Sequence, residues 1–201
     1  MVLRLVVLCA LAVLLGLYLG PYRDNARAER DAFAHIASAI AGRPVTIDCP
    51  STIGRLTEVS PHAGSVEFST DGRPADHADL SGSTCSHLEQ FDERAAGNGF
   101  DCLIQNIRCP RDVEQTAIAV NVLTHESYHL AGNRSESVVQ CYAMQRNAEA
   151  ARQLGATAEQ ADAIARFVYA HVYPSLPQEY RSSDCHDGGP YDLRPSTSVW
   201  P

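Results

Sequence analysis

The apolar positions fall into three regimes along the chain. From Leu5 to Leu19 ("LVVLCALAVLLGLYL") nothing charged interrupts them, and with its flanks this run reaches about the length that crosses a bilayer as a helix. Beyond it, Ala32, Phe33, Ile36 and Ile40 recur at helical spacing and stop at Gly42-Arg43-Pro44, which predicts a helix rising from the first segment and ended by Gly and Pro. From Val45 to about Gly99 the helical period gives way to short alternating pieces, "VTIDC" and "SVEFS", set between Pro, Gly, Asp and Ser. These predict two or three strands, with "STDGRP" as a turn and His62 and His77 in polar loops.

The second half is helical. Val113, Ala117, Val120, Leu123 and Thr124 predict a helix from about Val113 to Ala131, with Asp112 and Gln115 at capping-box spacing at its start and Gly132 at its end. A second helix follows "GNR", with Ser135 as N-cap and Gly155 as terminator. A third begins at Thr157, with Gln160 at capping-box spacing, and runs to Pro174 ahead of an irregular Pro/Gly-rich tail. The predicted class is α+β, predominantly helical, with a small β-rich N-terminal part and one N-terminal transmembrane helix. Its expected divisions are an anchor over 1–20, a juxtamembrane helix over 21–43 and one domain over 44–201.

No small-x-small cleavage site precedes Pro21, so the first segment reads as an uncleaved signal anchor. Arg23, Arg27 and Arg30 follow it and outnumber the single Arg4 before it, against the positive-inside expectation. The cysteines argue the other way. Besides Cys9 within the segment there are six, Cys49, Cys85, Cys102, Cys109, Cys141 and Cys185. An even set behind an export segment predicts up to three disulfides in an oxidising compartment, which places the domain outside the cytoplasm. Cys102 and Cys109 are close enough to close a short loop. The remaining connectivity stays open.

Charge narrows the partners. The formal net charge is −8, all sixteen basic residues are arginine, and no basic stripe interleaves with aromatics. Nucleic-acid binding has no support from such a surface.

The stretch "LTHESYHLAGNRSE", Leu123 to Glu136, carries the candidate chemistry. On a helix His125 and His129 stand one turn apart on one face, so both imidazoles can address one point, as two zinc ligands must. Glu126 neighbours the first histidine and can lean toward the metal's open position as the general base for an activated water. A catalytic zinc takes a third protein ligand. Gly132 ends the helix three residues past His129, the chain reverses, and Glu136 arrives in the first turn of the next helix, where it can point back at the pair.

"HESYH" followed by Glu136 resembles the zincin metallopeptidases, in the subgroup whose third ligand is a glutamate on the helix after the motif. More closely, "LTHESYHLAGNRSESVVQCYAMQ" is similar to a group of small, membrane-anchored actinobacterial proteins taken to be zinc metallopeptidases. The resemblance implies a zincin-like core, a peptide or protein substrate, a Zn2+ ion on His125, His129 and Glu136, and Glu126 as catalytic base. The spacing from His129 to Glu136 is much shorter than in the thermolysin type. No transition-state stabiliser is evident, and Tyr173, Tyr180 and His186 are candidates as polar aromatics downstream.

Two other readings remain open at this level. Cys141, five residues past Glu136, is either a fourth ligand of a closed structural zinc site or half of a disulfide with a cysteine such as Cys185. The domain can also be a catalytically inactive zinc-binding module that serves assembly at the cell envelope.

Overall fold

The computed structural model describes residues 29–51, 54–55, 62–197 and 200–201. The predicted anchor and residues 21–28 of the juxtamembrane helix lie outside them. Among the described residues no helix is long and apolar enough to cross a membrane.

The architecture is α+β and mostly helical, with a small three-stranded sheet. Helix α1 covers 29–41 and buries Phe33, Ile36 and Ala37 in the same core as the elements that follow. Strand β1 is Thr46–Asp48, β2 is Gly64–Ser65 and β3 is His77–Leu80. They lie in the order β1-β3-β2, with Thr46 opposite His77 in a parallel pair and Gly64 opposite Leu80 in an antiparallel one. This register turns Ile47, Ala78 and Leu80 inward together, as a two-residue side-chain period requires.

Between Val45 and Gly99 the structure departs from the sequence reading in three ways. "SVEFS" supplies only the end of β2 and an isolated bridge from Phe68 to Pro74, around the turn that "STDGRP" makes. His77 opens β3 instead of lying in a loop. Helices α2 (Gly82–Glu89) and α3 (Phe91–Ala96) occupy ground read as irregular. Their apolar marks, Cys85, Leu88, Phe91 and Ala95, do follow a helical period and are buried, but Ser, His, Glu and Asp between them mask it. Ser81 caps α2, its hydroxyl accepting from the Thr84 amide at 3.1 Å.

Short α4 (Asp101–Ile104) leads to α5 (Arg111–Leu130), α6 (Glu136–Gln153) and α7 (Ala158–Phe167). After α7 the chain continues as a π turn over Val168–Val172 and single 3-10 turns at Tyr173–Ser175 and Gln178–Tyr180. Helix α5 lies in the middle, packed against α2 on one flank and α6 on another, and every residue from Leu123 to Leu130 is buried. The capping box predicted at its start does not form. Pro110 is the N-cap, and the Asp112 carboxylate is taken instead by Arg94 at 2.7 Å. The box at Thr157 and Gln160 forms in full.

Three disulfides tie the elements together. Cys49–Cys85 fastens the end of β1 to α2, Cys102–Cys109 closes the loop before α5, and Cys141–Cys185 clamps the tail to α6. With Cys141 in a disulfide, the closed site with that sulfur as fourth ligand is ruled out.

Candidate metal centre

Helix α5 ends in a tight reversal that the local sequence dictates. Ala131 and Gly132 donate back to the carbonyls of Ser127 and His129, and the Asn133 amide reaches the carbonyl of Tyr128 at 3.2 Å. Gly132 takes φ of +98°, where a side chain is strained. Four residues later α6 begins, and Glu136 is its first residue. A carboxylate there is favoured by the exposed amides and dipole of the helix N-terminus.

The return brings three ligand atoms together. Glu136 Oε2 stands 3.0 Å from His125 Nε2 and 3.3 Å from His129 Nε2, and the two Nε2 atoms are 3.1 Å apart. The protons available do not satisfy this triangle. His129 Nδ1 lies 2.8 Å from the carbonyl oxygen of Asn133, which only accepts, so the proton is on Nδ1 and a neutral His129 turns a bare lone pair toward Glu136. His125 Nδ1 lies 3.0 Å from the amide oxygen of Gln140, with the same consequence. Three acceptors facing one another call for a cation, either an extra proton or a metal.

The acid–base behaviour of the group reflects this. The two histidines hold the Glu136 carboxyl down at about 2. Burial works against a charged His129, but its bonds to Glu136 and Asn133 prevail and lift it above the usual imidazole range. The geometry also suits a metal. Tetrahedral nitrogen and oxygen ligands about 2.0–2.1 Å from a shared ion stand about 3.3–3.4 Å from one another, a few tenths of an ångström wider than the triangle here. His125, His129 and Glu136 are therefore a group that can hold a metal ion, as their residue types and spacing suggest. The side chains of both histidines are buried while that of Glu136 is 36% exposed, so the group opens to solvent on the Glu136 side.

Glu126 is turned from its neighbour toward the sheet. It is 5% exposed, its Oε2 has no hydrogen-bond partner, and it packs so closely on β2 that a Cβ placed on Gly64 would lie 2.7 Å from its Cγ. Burial pushes its carboxyl above the ordinary range, although His125 and His129 pull it back. A buried carboxylate with one oxygen unpartnered, beside a potential cation site, is costly to maintain and chemically potent.

Of the downstream aromatics, Tyr180 is the one that reaches the group. Its ring centroid lies 5.6 Å from that of His125, and burial, together with Glu136 and Glu126, raises its hydroxyl. Tyr173 is engaged in the tail, its hydroxyl donating to the Ser182 carbonyl and accepting from the Ser182 amide. His186 is exposed and bonded to the Asp187 carbonyl. On the opposite flank Phe68 meets His129 edge to face, with the Arg134 guanidinium over its ring.

Sequence reasoning passed over Gly64, Phe68 and Gln140. Gln140 had a local signal, lying one turn past Glu136 on α6, whereas Gly64 and Phe68 reach the group only through the tertiary fold. Comparison with known protein families, curated proteins and solved structures finds no match to this chain.

Proposed function

We propose that the chain is a zinc-dependent peptidase built on a zincin-like core, held at a membrane by its N-terminal segment with the domain on the extracytoplasmic side. One observation carries the reading: Glu126, buried with its Oε2 unpartnered, is the residue next to a cluster in which two imidazole nitrogens and a carboxylate oxygen converge within 3.3 Å of one another. A zinc that serves structure alone has no use for such a group. The three disulfides support an oxidising compartment.

His125 Nε2, His129 Nε2 and a Glu136 oxygen would hold the ion. Zinc bound there would polarise the scissile carbonyl and acidify a water at the remaining position. Glu126 takes the proton of the attacking water and delivers it to the departing amine. Its burial, which favours the protonated form, makes it a stronger base than a surface carboxylate and lets it carry the proton between the two steps. Strand β2 is an edge of the sheet and touches Glu126 through Gly64. A peptide substrate added to that edge as an extended strand would run past the carboxylate.

The test is metal analysis of the purified protein together with cleavage of a peptide library by wild type and Glu126→Gln. The reading expects one zinc per chain in both, cleavage by wild type, none by the variant, and loss of zinc in His125→Ala. Stoichiometric zinc without cleavage by wild type would favour the inactive envelope module, and unchanged metal content in His125→Ala would refute the ligand set.

A further inference from the structure

Behind His125, on the side away from Glu136, the α5–α6 interface holds four neutral polar side chains in place of apolar packing. Asn121, Thr124, Gln140 and Asn147 are all buried, Gln140 to 2% exposure. Every amide among them is partnered. Asn121 and Gln140 exchange a reciprocal pair of bonds, Asn121 Nδ2 donating to Gln140 Oε1 at 3.3 Å and Gln140 Nε2 to Asn121 Oδ1 at 3.2 Å. Asn147 Nδ2 donates to the same Asn121 oxygen at 3.1 Å, and the Thr124 hydroxyl donates to Asn147 Oδ1 at 2.7 Å. The remaining lone pair of Gln140 Oε1 faces His125 Nδ1 at 3.0 Å.

Gln140 and Glu136 lie one turn apart on α6, about 6 Å along its axis. They take His125 between them, the amide oxygen on Nδ1 and the carboxylate on Nε2, each at 3.0 Å. Turning the Gln140 amide alone would set oxygen against oxygen and N–H against N–H at Asn121, so Asn121 holds its carbonyl toward the imidazole. Histidines that ligate metals commonly give their second N–H to a carboxylate or carbonyl, and such partners weigh on metal affinity by about 10–100-fold.

We infer that Gln140, oriented by Asn121, is a positioning residue that keeps the His125 proton on Nδ1 and so presents the Nε2 lone pair to a metal, using an uncharged partner. The inference rests on the reading of His125 as a metal ligand. Its consequence is electrostatic as well as geometric. With a neutral amide behind the histidine, Glu136 is the one anionic ligand, and a divalent ion keeps a net positive charge at the site.

The experiment measures zinc affinity of the purified protein by competition with a chromophoric chelator, and the Nδ1–H proton signal of His125 in the zinc-loaded protein by NMR. Gln140→Leu is expected to bind zinc about 10–100-fold more weakly and to lose that signal. Gln140→Glu, which restores an acceptor, should recover affinity to within a few-fold or exceed wild type. Asn147→Leu, which disturbs the network without touching His125, should lower thermal stability yet leave affinity within about threefold, an order of magnitude short of the Gln140→Leu effect. If Gln140→Leu does not fold, Gln140→Met takes its place. Wild-type affinity in the Leu or Met variant, or an equal loss in Asn147→Leu, would overturn the inference while leaving the metal site standing. Absence of zinc binding by wild type, or undiminished binding by His125→Ala, would overturn the ligand reading and the inference with it.

Discussion

Replacing Glu126 by glutamine should make the metal-free protein more stable while it abolishes turnover. The carboxylate is 5% exposed, and its Oε2 finds no donor. A buried polar group left unsatisfied costs about 1–3 kcal/mol, and a charged one more. Glutamine keeps the shape and removes the charge, so about 1–2 kcal/mol of the penalty should be relieved, after allowance for the attraction of His125 and His129 that it also gives up. For a domain of this size that is a rise in Tm of about 2–8 °C. The pH dependence has a definite sign. Burial raises the folded-state pKa of Glu126 above its ordinary 4.5, so the wild type bears the cost wherever the folded carboxyl is ionised. As pH falls through the raised folded pKa toward 4.5 the cost disappears, and the advantage of the variant disappears with it. Thermal unfolding in chelator, followed by circular dichroism at about pH 8 and about pH 5, reads this directly. A variant no more stable than wild type at the higher pH, or one whose advantage grows on acidification, would refute the reasoning. Turnover in the zinc-loaded protein should fall by about 10²–10⁴.

Gly64→Ala should leave metal content intact and lower turnover by about 100-fold, because its Cβ would press on Glu126 at 2.7 Å and a displacement near 1 Å has that effect. Elemental analysis beside a cleavage assay checks it. Among the disulfides, loss of Cys141–Cys185 or Cys49–Cys85 should each cost about 4 kcal/mol and loss of Cys102–Cys109 about 2, following loops of 44, 36 and 7 residues. Denaturant midpoints of the paired alanine variants test that order. In the metal-free protein the Glu136 cluster should stabilise only within a window. The depressed Glu136 contribution is present above 4.5 and lost as pH falls through about 2, while the raised His129 contribution is present below 6.5 and lost as pH climbs through its folded value. Since zinc displaces the same protons, its affinity should rise with pH across that upper boundary, and a pH-independent affinity would count against the cluster as the site.

What was legible in the sequence was what local chemistry decides. His125 and His129 are one helical turn apart on any helix, and Gly132 with the polar residues after it can only be a reversal. Together these delivered Glu136 without any knowledge of the rest of the fold. The pairing of Cys102 with Cys109 was legible for the same reason. Helices α2 and α3 were missed because their buried positions are few and separated by Ser, His and Asp, so composition outweighed period. The capping box at Asp112 was a sound pattern defeated by a competitor: Arg94, eighteen residues earlier, claims the carboxylate. The closeness of Gly64 to Glu126 was invisible, since β2 is two residues long and its partner lies on the far side of three helices in the chain.

This division has a mechanistic consequence. The candidate ligand atoms come from one helix and the first residue of the next, and the carbonyl of Asn133 in the turn between them also fixes the proton on His129. The capacity to hold a metal ion is therefore a property of the α5–α6 hairpin. The environment of the proposed base is not. Glu126 owes its burial to β2, whose position is set from elsewhere, since the Ala63 carbonyl accepts from the Ser81 amide and the Thr84 hydroxyl, both at 2.9 Å, at the start of α2. Helix α2 is in turn fastened to β1 by Cys49–Cys85. Loosening that disulfide should consequently impair turnover through Glu126 before it impairs metal affinity, whereas changes at Gln140 should do the reverse.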